Sequence, residues 1–199
     1  MEEAAPPIPA PDPLLEQYTT PGDIAARLAH TVAMRDPLSN ARVADLGAGT
    51  CRLSLALALY GAPHLTAVDA DPRLPLLCIS AFESLGLEPP SYLVSMITRA
   101  GGPLRPGSID IVVMNPPFGV QRRGADTVFL AYAMVLGADR IYAILKTGNE
   151  DFHTRLAKEY GYRHVVLYRE LFPLPATMKH HRSRIRRVEV NVSVFERIH

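Results

Sequence analysis

The chain has 199 residues, 48% hydrophobic and 21% charged, with a formal net charge of +1. That is the size and balance of one globular domain with a sizeable core, which excludes an intrinsically disordered chain and a uniformly basic nucleic-acid binder. No apolar run reaches the roughly 18 residues that span a bilayer, and the opening residues lack the basic-then-apolar pattern of a signal peptide, so a soluble, cytoplasmic protein is expected.

Residues 1–13, rich in Pro, Ala and Glu, are expected to be a flexible tail, with a single domain over 14–199. Apolar Ile24, Leu28 and Val32 at helical spacing predict a helix over Pro21–Met34, opened by Pro21 near its first turn. From Arg42 the pattern alternates. Strands are predicted at Arg42–Leu46, Leu65–Asp69, Ser91–Ile97, Ile109–Met114 and Arg140–Leu145. Helices are predicted at Arg52–Tyr60, Pro72–Leu85, Ala125–Leu136 and Asp151–Tyr160. Pro75 is expected to make the start of its helix irregular. His164–Tyr168 reads as a sixth strand. In the seventh, Val188, Val190, Val192 and Val194 alternate with polar residues. The link Arg169–Arg187 reads as a long loop, a feature that is usually functional. Strands alternating with helices imply an α/β fold: a seven-stranded, mostly parallel sheet with helices on both faces and an antiparallel last strand. Cys51 and Cys78 do not have metal-ligand spacing and read as two buried small apolar residues, so no metal is expected.

Asp45-Leu46-Gly47-Ala48-Gly49 follows the first strand and precedes a helix, where glycine lets the backbone approach a ligand closely. Asp69 ends the second strand, and a carboxylate there can accept hydrogen bonds from vicinal ribose hydroxyls. The pair points to a nucleoside cofactor. A dinucleotide fingerprint wants a further glycine where Arg52 stands, whereas S-adenosylmethionine has no pyrophosphate to bind there. A glycine turn of purely structural use is the alternative.

The fourth strand ends in Asn115-Pro116-Pro117-Phe118-Gly119. Two prolines close a strand and stiffen the turn after it. The Asn115 side-chain oxygen and the Pro116 carbonyl can both accept hydrogen bonds, so a planar amino group with two N–H donors fits between them, and Phe118 offers a face for stacking a base. Such a clamp suits methylation of the exocyclic amino group of adenine, with positioning carrying most of the catalysis and the base unstacked to reach the pocket. Later, Lys179-His180-His181-Arg182-Ser183-Arg184-Ile185-Arg186-Arg187 holds five Lys or Arg residues and two His. Contacts from Lys179, His181, Arg182, Arg184 and Arg186 to phosphates, extended by Arg122 and Arg123, would grip RNA backbone beside Phe118; a solvated basic loop is the alternative.

From Leu14 to about Phe195 the sequence resembles the methyltransferase-like ribosomal RNA adenine-N(6) methyltransferases, which act on small-subunit ribosomal RNA in eukaryotes and have archaeal relatives. The resemblance is carried by Leu15-Glu16-Gln17-Tyr18-Thr19-Thr20 with Ile24-Ala25-Ala26-Arg27, by Ala44-Asp45-Leu46-Gly47 and Val68-Asp69-Ala70-Asp71, by Met114-Asn115-Pro116-Pro117-Phe118-Gly119, and by Leu174-Pro175-Ala176-Thr177-Met178-Lys179-His180-His181. It implies a Rossmann-like class I methyltransferase using S-adenosylmethionine. Gln17, Tyr18 and Thr20 would lie over the cofactor, and Asp45, Gly47, Ala48, Gly49, Asp69, Ala70 and Asn115 would hold it. Asn115, Pro116, Pro117 and Phe118 would be catalytic. Two positions depart from the family pattern: Cys51 replaces a glycine, and Ser95 and Met96 stand where an acidic residue contacts the cofactor's adenine, so Ser95 or a backbone amide would serve instead. Eukaryotic relatives work with a small zinc-binding activator subunit, which makes a similar partner an expectation here. The same Asn-Pro-Pro-aromatic clamp occurs in protein glutamine and DNA adenine methyltransferases. Those activities, and a non-catalytic RNA-binding protein, are the alternatives.

Overall fold

The computed structural model describes residues 4–119, 124–175 and 185–198. Buried Ile24, Leu28 and Val32 recur at helical spacing along one face of α1 (Gly22–Arg35), which begins directly after Pro21 because that ring is pre-set for a helical entry. The short, fully apolar β4 (Ile111–Met114) is buried along its whole length. It sits at the centre of a seven-stranded sheet with β1 (Arg42–Leu46), β2 (His64–Asp69), β3 (Ser91–Val94), β5 (Arg140–Lys146), β6 (Tyr162–Pro175) and β7 (Ile185–Arg197), ordered β3-β2-β1-β4-β5-β7-β6. The first five strands are parallel, and β7 runs antiparallel to both neighbours. One face packs against α1, α2 (Arg52–Leu59) and α3 (Pro75–Glu83), with Leu28, Leu55 and Phe82 in its core. The other packs against α4 (Ala125–Val135) and α5 (Glu150–Glu159), with Leu130, Met134 and Ala157. This is the expected α/β architecture. No helix among the described residues is long and apolar enough to cross a membrane.

Three expectations need correction. The stretch Arg169–Arg187 is not a long loop: β6 continues to Pro175 and β7 begins at Ile185, forming a hairpin with a register shift between Val166 and Tyr168. Its inward side chains, including buried Phe172, pack against the α1 face, and that burial overrides the proline-rich sequence. Within residues 4–12, expected to belong to a flexible tail, Ala5 and Ile8 are buried against the domain. Ala5 is fully buried, and its carbonyl accepts a hydrogen bond from Arg52 Nε at 2.7 Å. As expected, the stretch from Pro72 starts irregularly: residues 72–74 form a turn, and the helix proper begins at Pro75. Pro75 occupies the first turn of α3, where its missing N–H has no intrahelical partner to lose. Finally, Cys51 and Cys78 are not merely two buried apolar residues; they are bonded to each other as a disulfide, Cα to Cα 5.4 Å.

That disulfide sits where the sequence departs from glycine. Cys51 has φ +62°, a left-handed conformation that costs an L side chain about 1–2 kcal/mol, and the bond to α3 holds it there. The closed loop spans 27 residues, so cross-linking is worth about 3–4 kcal/mol through the unfolded chain. Reducing the protein, or substituting Cys78→Ala, is expected to lower Tm by about 10 °C in differential scanning calorimetry. Among variants lacking the bond, Cys51→Gly should melt higher than Cys51→Ala, by about 1 kcal/mol, because glycine accepts that φ freely; equal melting would mean the left-handed turn carries no strain.

Candidate active site

Register fixes the site. Leu46 of β1 pairs with Val68 of β2 on one side and Met114 of β4 on the other, so Gly47, Asp69 and Asn115 emerge side by side at the carboxyl ends of three adjacent strands. Between β1 and β4 the strand order reverses, the point in an open parallel sheet where a crevice opens to ligands.

The turn after β1 is cinched to β2. Gly47 and Ala48 N–H groups donate to the Val68 carbonyl at 2.8 and 3.1 Å, and Gly49 N–H donates to Asp69 Oδ2 at 2.9 Å. Gly47 and Gly49 both have positive φ, and a Cβ on Gly47 would lie 3.2 Å from the Phe129 ring, so only glycine fits there. Asp69 also accepts from Asp71 N–H at 3.0 Å; burial pushes its carboxyl up, and these backbone N–H groups partly offset the shift. Asp45 is buried, and its Oδ2 accepts from Ser54 N–H and Oγ at 3.1 and 2.7 Å. Its Oδ1 has no hydrogen-bond partner among the described residues. Desolvation raises the Asp45 carboxyl to about 7, the Ser54 hydrogen bonds working against it and the nearby Asp69 charge adding to it.

The N-terminal segment closes the crevice from above. Arg52 Nη1 donates to the Thr20 carbonyl at 2.9 Å, Thr50 Oγ1 to the Pro6 carbonyl at 3.0 Å, and Gln17 Nε2 to Asp71 Oδ2 at 2.8 Å. Arg73 holds the Asp71 carboxyl far below the usual range, so that end of the tether stays ionised. At the β4 end, Asn115 Nδ2 donates to Thr20 Oγ1 at 2.9 Å, while the buried Asn115 Oδ1 has no partner among the described residues.

Every residue expected to hold the cofactor lines one continuous cavity: Gln17, Tyr18, Thr20, Asp45, Gly47, Ala48, Gly49, Asp69, Ala70, Ser95, Met96 and Asn115. Pro117 joins them, but Pro116 and Phe118 do not. Phe118 is not the bare shelf expected. It is only 8% exposed, its ring near-parallel to Tyr18 at a centroid distance of 6.1 Å and edge-on to Phe172 at 5.3 Å. Arg122, Arg123, Lys179, His181, Arg182 and Arg184 lie outside the described residues. Arg186 stands in β7 opposite Leu174 of β6.

The same cavity has walls that sequence reasoning missed. Ala125, Val128 and Phe129 on α4, the Ile97–Arg99 run after β3, Ile8, and Arg52 all contribute. Ala125 and Phe129 stand one turn apart, but their helix is apolar nearly all round, so no stripe distinguishes a cavity face from a core face. Arg52 carried a signal: a nearly buried arginine where a dinucleotide site would have glycine needs acceptors, and it finds two carbonyls of the N-terminal segment.

A parallel sheet with a glycine turn at its switch point, an acidic residue ending the next strand, and a dry amide acceptor on the far side define a Rossmann-like methyltransferase. Residues 22–151 match the family model described as Methyltransferase small domain, and the chain belongs to that family. It is 30% identical over 188 residues to a Drosophila melanogaster rRNA N(6)-adenosine-methyltransferase, covering 94% of this chain and 88% of the relative. It is 30% identical to the Danio rerio protein of the same description, covering 93% and 90%. The crystal structure of a candidate RNA methyltransferase from Pyrococcus horikoshii superposes with a TM-score of 0.83 at 28% identity, covering 97% of this chain and 90% of that one. As a member of this methyltransferase family, the chain takes S-adenosylmethionine as its cofactor. The residues present fit it: Asp45 lines the cavity with a carboxyl that can balance positive charge, and Asp69 retains lone pairs for hydroxyl groups.

The Asp45 carboxyl gives the site a pH dependence. Because its folded pKa lies above its unfolded value, ionising it costs stability as pH rises from about 4 towards 7. A cationic ligand favours the ionised form, so affinity should be full above pH 7 and fall below it. Cofactor affinity is expected to drop about 10-fold from pH 8 to pH 6, measured by titration calorimetry. Asp45→Asn should bind weakly at both values, with that pH dependence gone.

Proposed function

We propose that the protein transfers the methyl group of S-adenosylmethionine to the exocyclic amino group of an adenine in RNA, with ribosomal RNA as the substrate and the cytoplasm as its location. The observation that carries the reading is the Asn115 amide: the residue lines the cofactor cavity, and its Oδ1 is a buried acceptor with no partner among the described residues. Relatives described as rRNA N(6)-adenosine-methyltransferases support the same substrate. A buried disulfide is compatible with a reducing compartment here because both sulfurs belong to fully buried residues, away from reductant.

In this reading Gln17, Tyr18, Asp45, Gly47, Ala48, Gly49, Asp69, Ala70, Ser95 and Met96 form the cofactor's bed. The cofactor supplies an electrophilic methyl group. The Asn115 Oδ1 and Pro116 carbonyl oxygens accept the two amino N–H bonds of the base, drawing the nitrogen lone pair out of conjugation and aiming it. Pro116 and Pro117 keep these acceptors from relaxing. Phe118 and Tyr18 take the base between them. A flat ring needs about 7 Å between two faces, twice a van der Waals contact, so Tyr18 moves outward as the base enters. Arg122, Arg123, Lys179, His181, Arg182, Arg184 and Arg186 grip phosphates, giving affinity without sequence reading. This basic set favours RNA over a glutamine side chain.

A partner subunit fits the other edge of the sheet. β3 pairs only with β2 among the described residues, leaving its outer backbone groups open, and Leu93, Val94 and Met96 are 37%, 48% and 55% exposed. An edge with apolar side chains invites strand addition. In this reading the added strand comes from a small zinc-binding activator.

Tritiated methyl transfer is expected to label ribosomal RNA and to leave release factor and duplex DNA unlabelled; labelling of the protein instead would favour the glutamine reading. Asn115→Ala should abolish transfer while cofactor binding stays within about 3-fold, and an active Asn115→Ala enzyme would refute the clamp. Phe118→Ala should cut kcat/KM by about 10- to 100-fold, the worth of one stacked base. Alanine at Lys179, Arg182 and Arg184 together should weaken RNA binding and flatten its dependence on salt, read by filter binding across about 50–200 mM.

A further inference from the structure

We propose that Thr20 is a positioning residue for the methyl acceptor: it acts on Asn115, and through it on the base, rather than on the cofactor. The role rests on the clamp proposed for the function and assigns what holds that clamp in register.

The backbone of Thr20 is constrained on both sides. It precedes Pro21, which confines it to extended conformations, and α1 starts immediately afterwards. Its carbonyl is held by Arg52 Nη1 at 2.9 Å, and Arg52 Nε also holds the Ala5 carbonyl at 2.7 Å. Thr20 is 7% exposed, so its main chain has little room to move. The Thr20 hydroxyl is therefore held beside Asn115, where it takes a hydrogen from Asn115 Nδ2 at 2.9 Å.

A primary amide has two ends of opposite character. An adenine amino group presents only N–H donors, so an Asn115 that turned its own NH₂ inward would repel it. With Nδ2 tied to Thr20, Oδ1 is the amide atom left over, buried and without a partner among the described residues, in a residue that lines the cavity. Without the hydroxyl, the amide would rotate between productive and unproductive orientations. The loss would fall on the chemical step, because the base still stacks and the cofactor bed is untouched.

The experiment compares Thr20→Val, Thr20→Ala and Thr20→Ser with wild type. Single-turnover methyl transfer would be measured to ribosomal RNA transcribed in vitro, with S-adenosylmethionine affinity by calorimetry and RNA affinity by filter binding. Thr20→Val keeps the shape and removes the hydroxyl. It is expected to lower the single-turnover rate about 10- to 100-fold while both affinities stay within about 2-fold. Thr20→Ser restores the acceptor and should recover most of the rate. If the valine variant does not fold, Thr20→Ala against Thr20→Ser gives the same contrast. Adding Thr20→Val to Asn115→Ala should cost nothing further in any residual rate. A Thr20→Val enzyme as fast as wild type overturns the proposal. So does one whose rate falls only in step with cofactor affinity, which would make Thr20 a cofactor contact. If wild type labels no RNA, the clamp reading itself fails; if it labels RNA and Thr20→Val matches it, only the role of Thr20 falls.

Discussion

The site depends on the parallel register that sets the ends of β2, β1 and β4 level with one another. Because Leu46 faces Val68 and Met114 across the sheet, Asp69, the glycine turn and the Asn115 amide are neighbours before any loop is considered. A shift of one residue in either pairing would turn Asp69 or Asn115 to the opposite face of the sheet. The burial of β4 on both faces makes such a slip costly, since Ile111, Val112, Val113 and Met114 are all core residues. The chemistry thus inherits its precision from apolar packing that takes no part in it.

Near the site, the buried acceptors Asp45 Oδ1 and Asn115 Oδ1 have no hydrogen-bond partner among the described residues. An unpaired buried acceptor costs about 1–3 kcal/mol, so both are places where stability is given up. Each has its other side-chain atom fixed: Ser54 holds the second oxygen of Asp45, and Thr20 holds the nitrogen of Asn115.

The N-terminal segment lines the cavity, and the C-terminal hairpin packs behind Phe118 from the opposite end of the chain. Arg52 gathers Ala5 and Thr20, the disulfide holds the neighbouring residue Cys51 in its left-handed turn, and Gln17 is moored to Asp71. From the other side, Phe172 of β6 backs Phe118, and Arg27 of α1 lies 4.1 Å from the Tyr168 ring centroid. The aromatic slot is thus made by Tyr18 from the start of the chain, Phe118 from its centre and Phe172 from near its end.

Periodicity and local chemistry determined the core of this protein. Alternating apolar runs marked strands and helices in the right order, and Pro21 and the glycines marked their turns. The Asp45–Gly49, Asp69 and Asn115–Phe118 motifs lay at strand ends because glycine, proline, Asp and Asn are all poor occupants of a strand interior. These are short-range effects, encoded within a few residues of where they act. Tertiary structure decided what depends on partners distant in sequence. Arg169–Pro175 reads as loop because its prolines oppose a ladder, yet pairing with β7 and burial of Phe172 make it strand. Residues 4–12 read as tail because nothing nearby demands order; the partner of Ala5 is Arg52, 47 residues on. Cys51 and Cys78 could be judged buried from their type, but their bond required α3 to pack beside the glycine turn. Phe118 read as a free shelf because its covering rings, Tyr18 and Phe172, come from segments that only the folded sheet brings together.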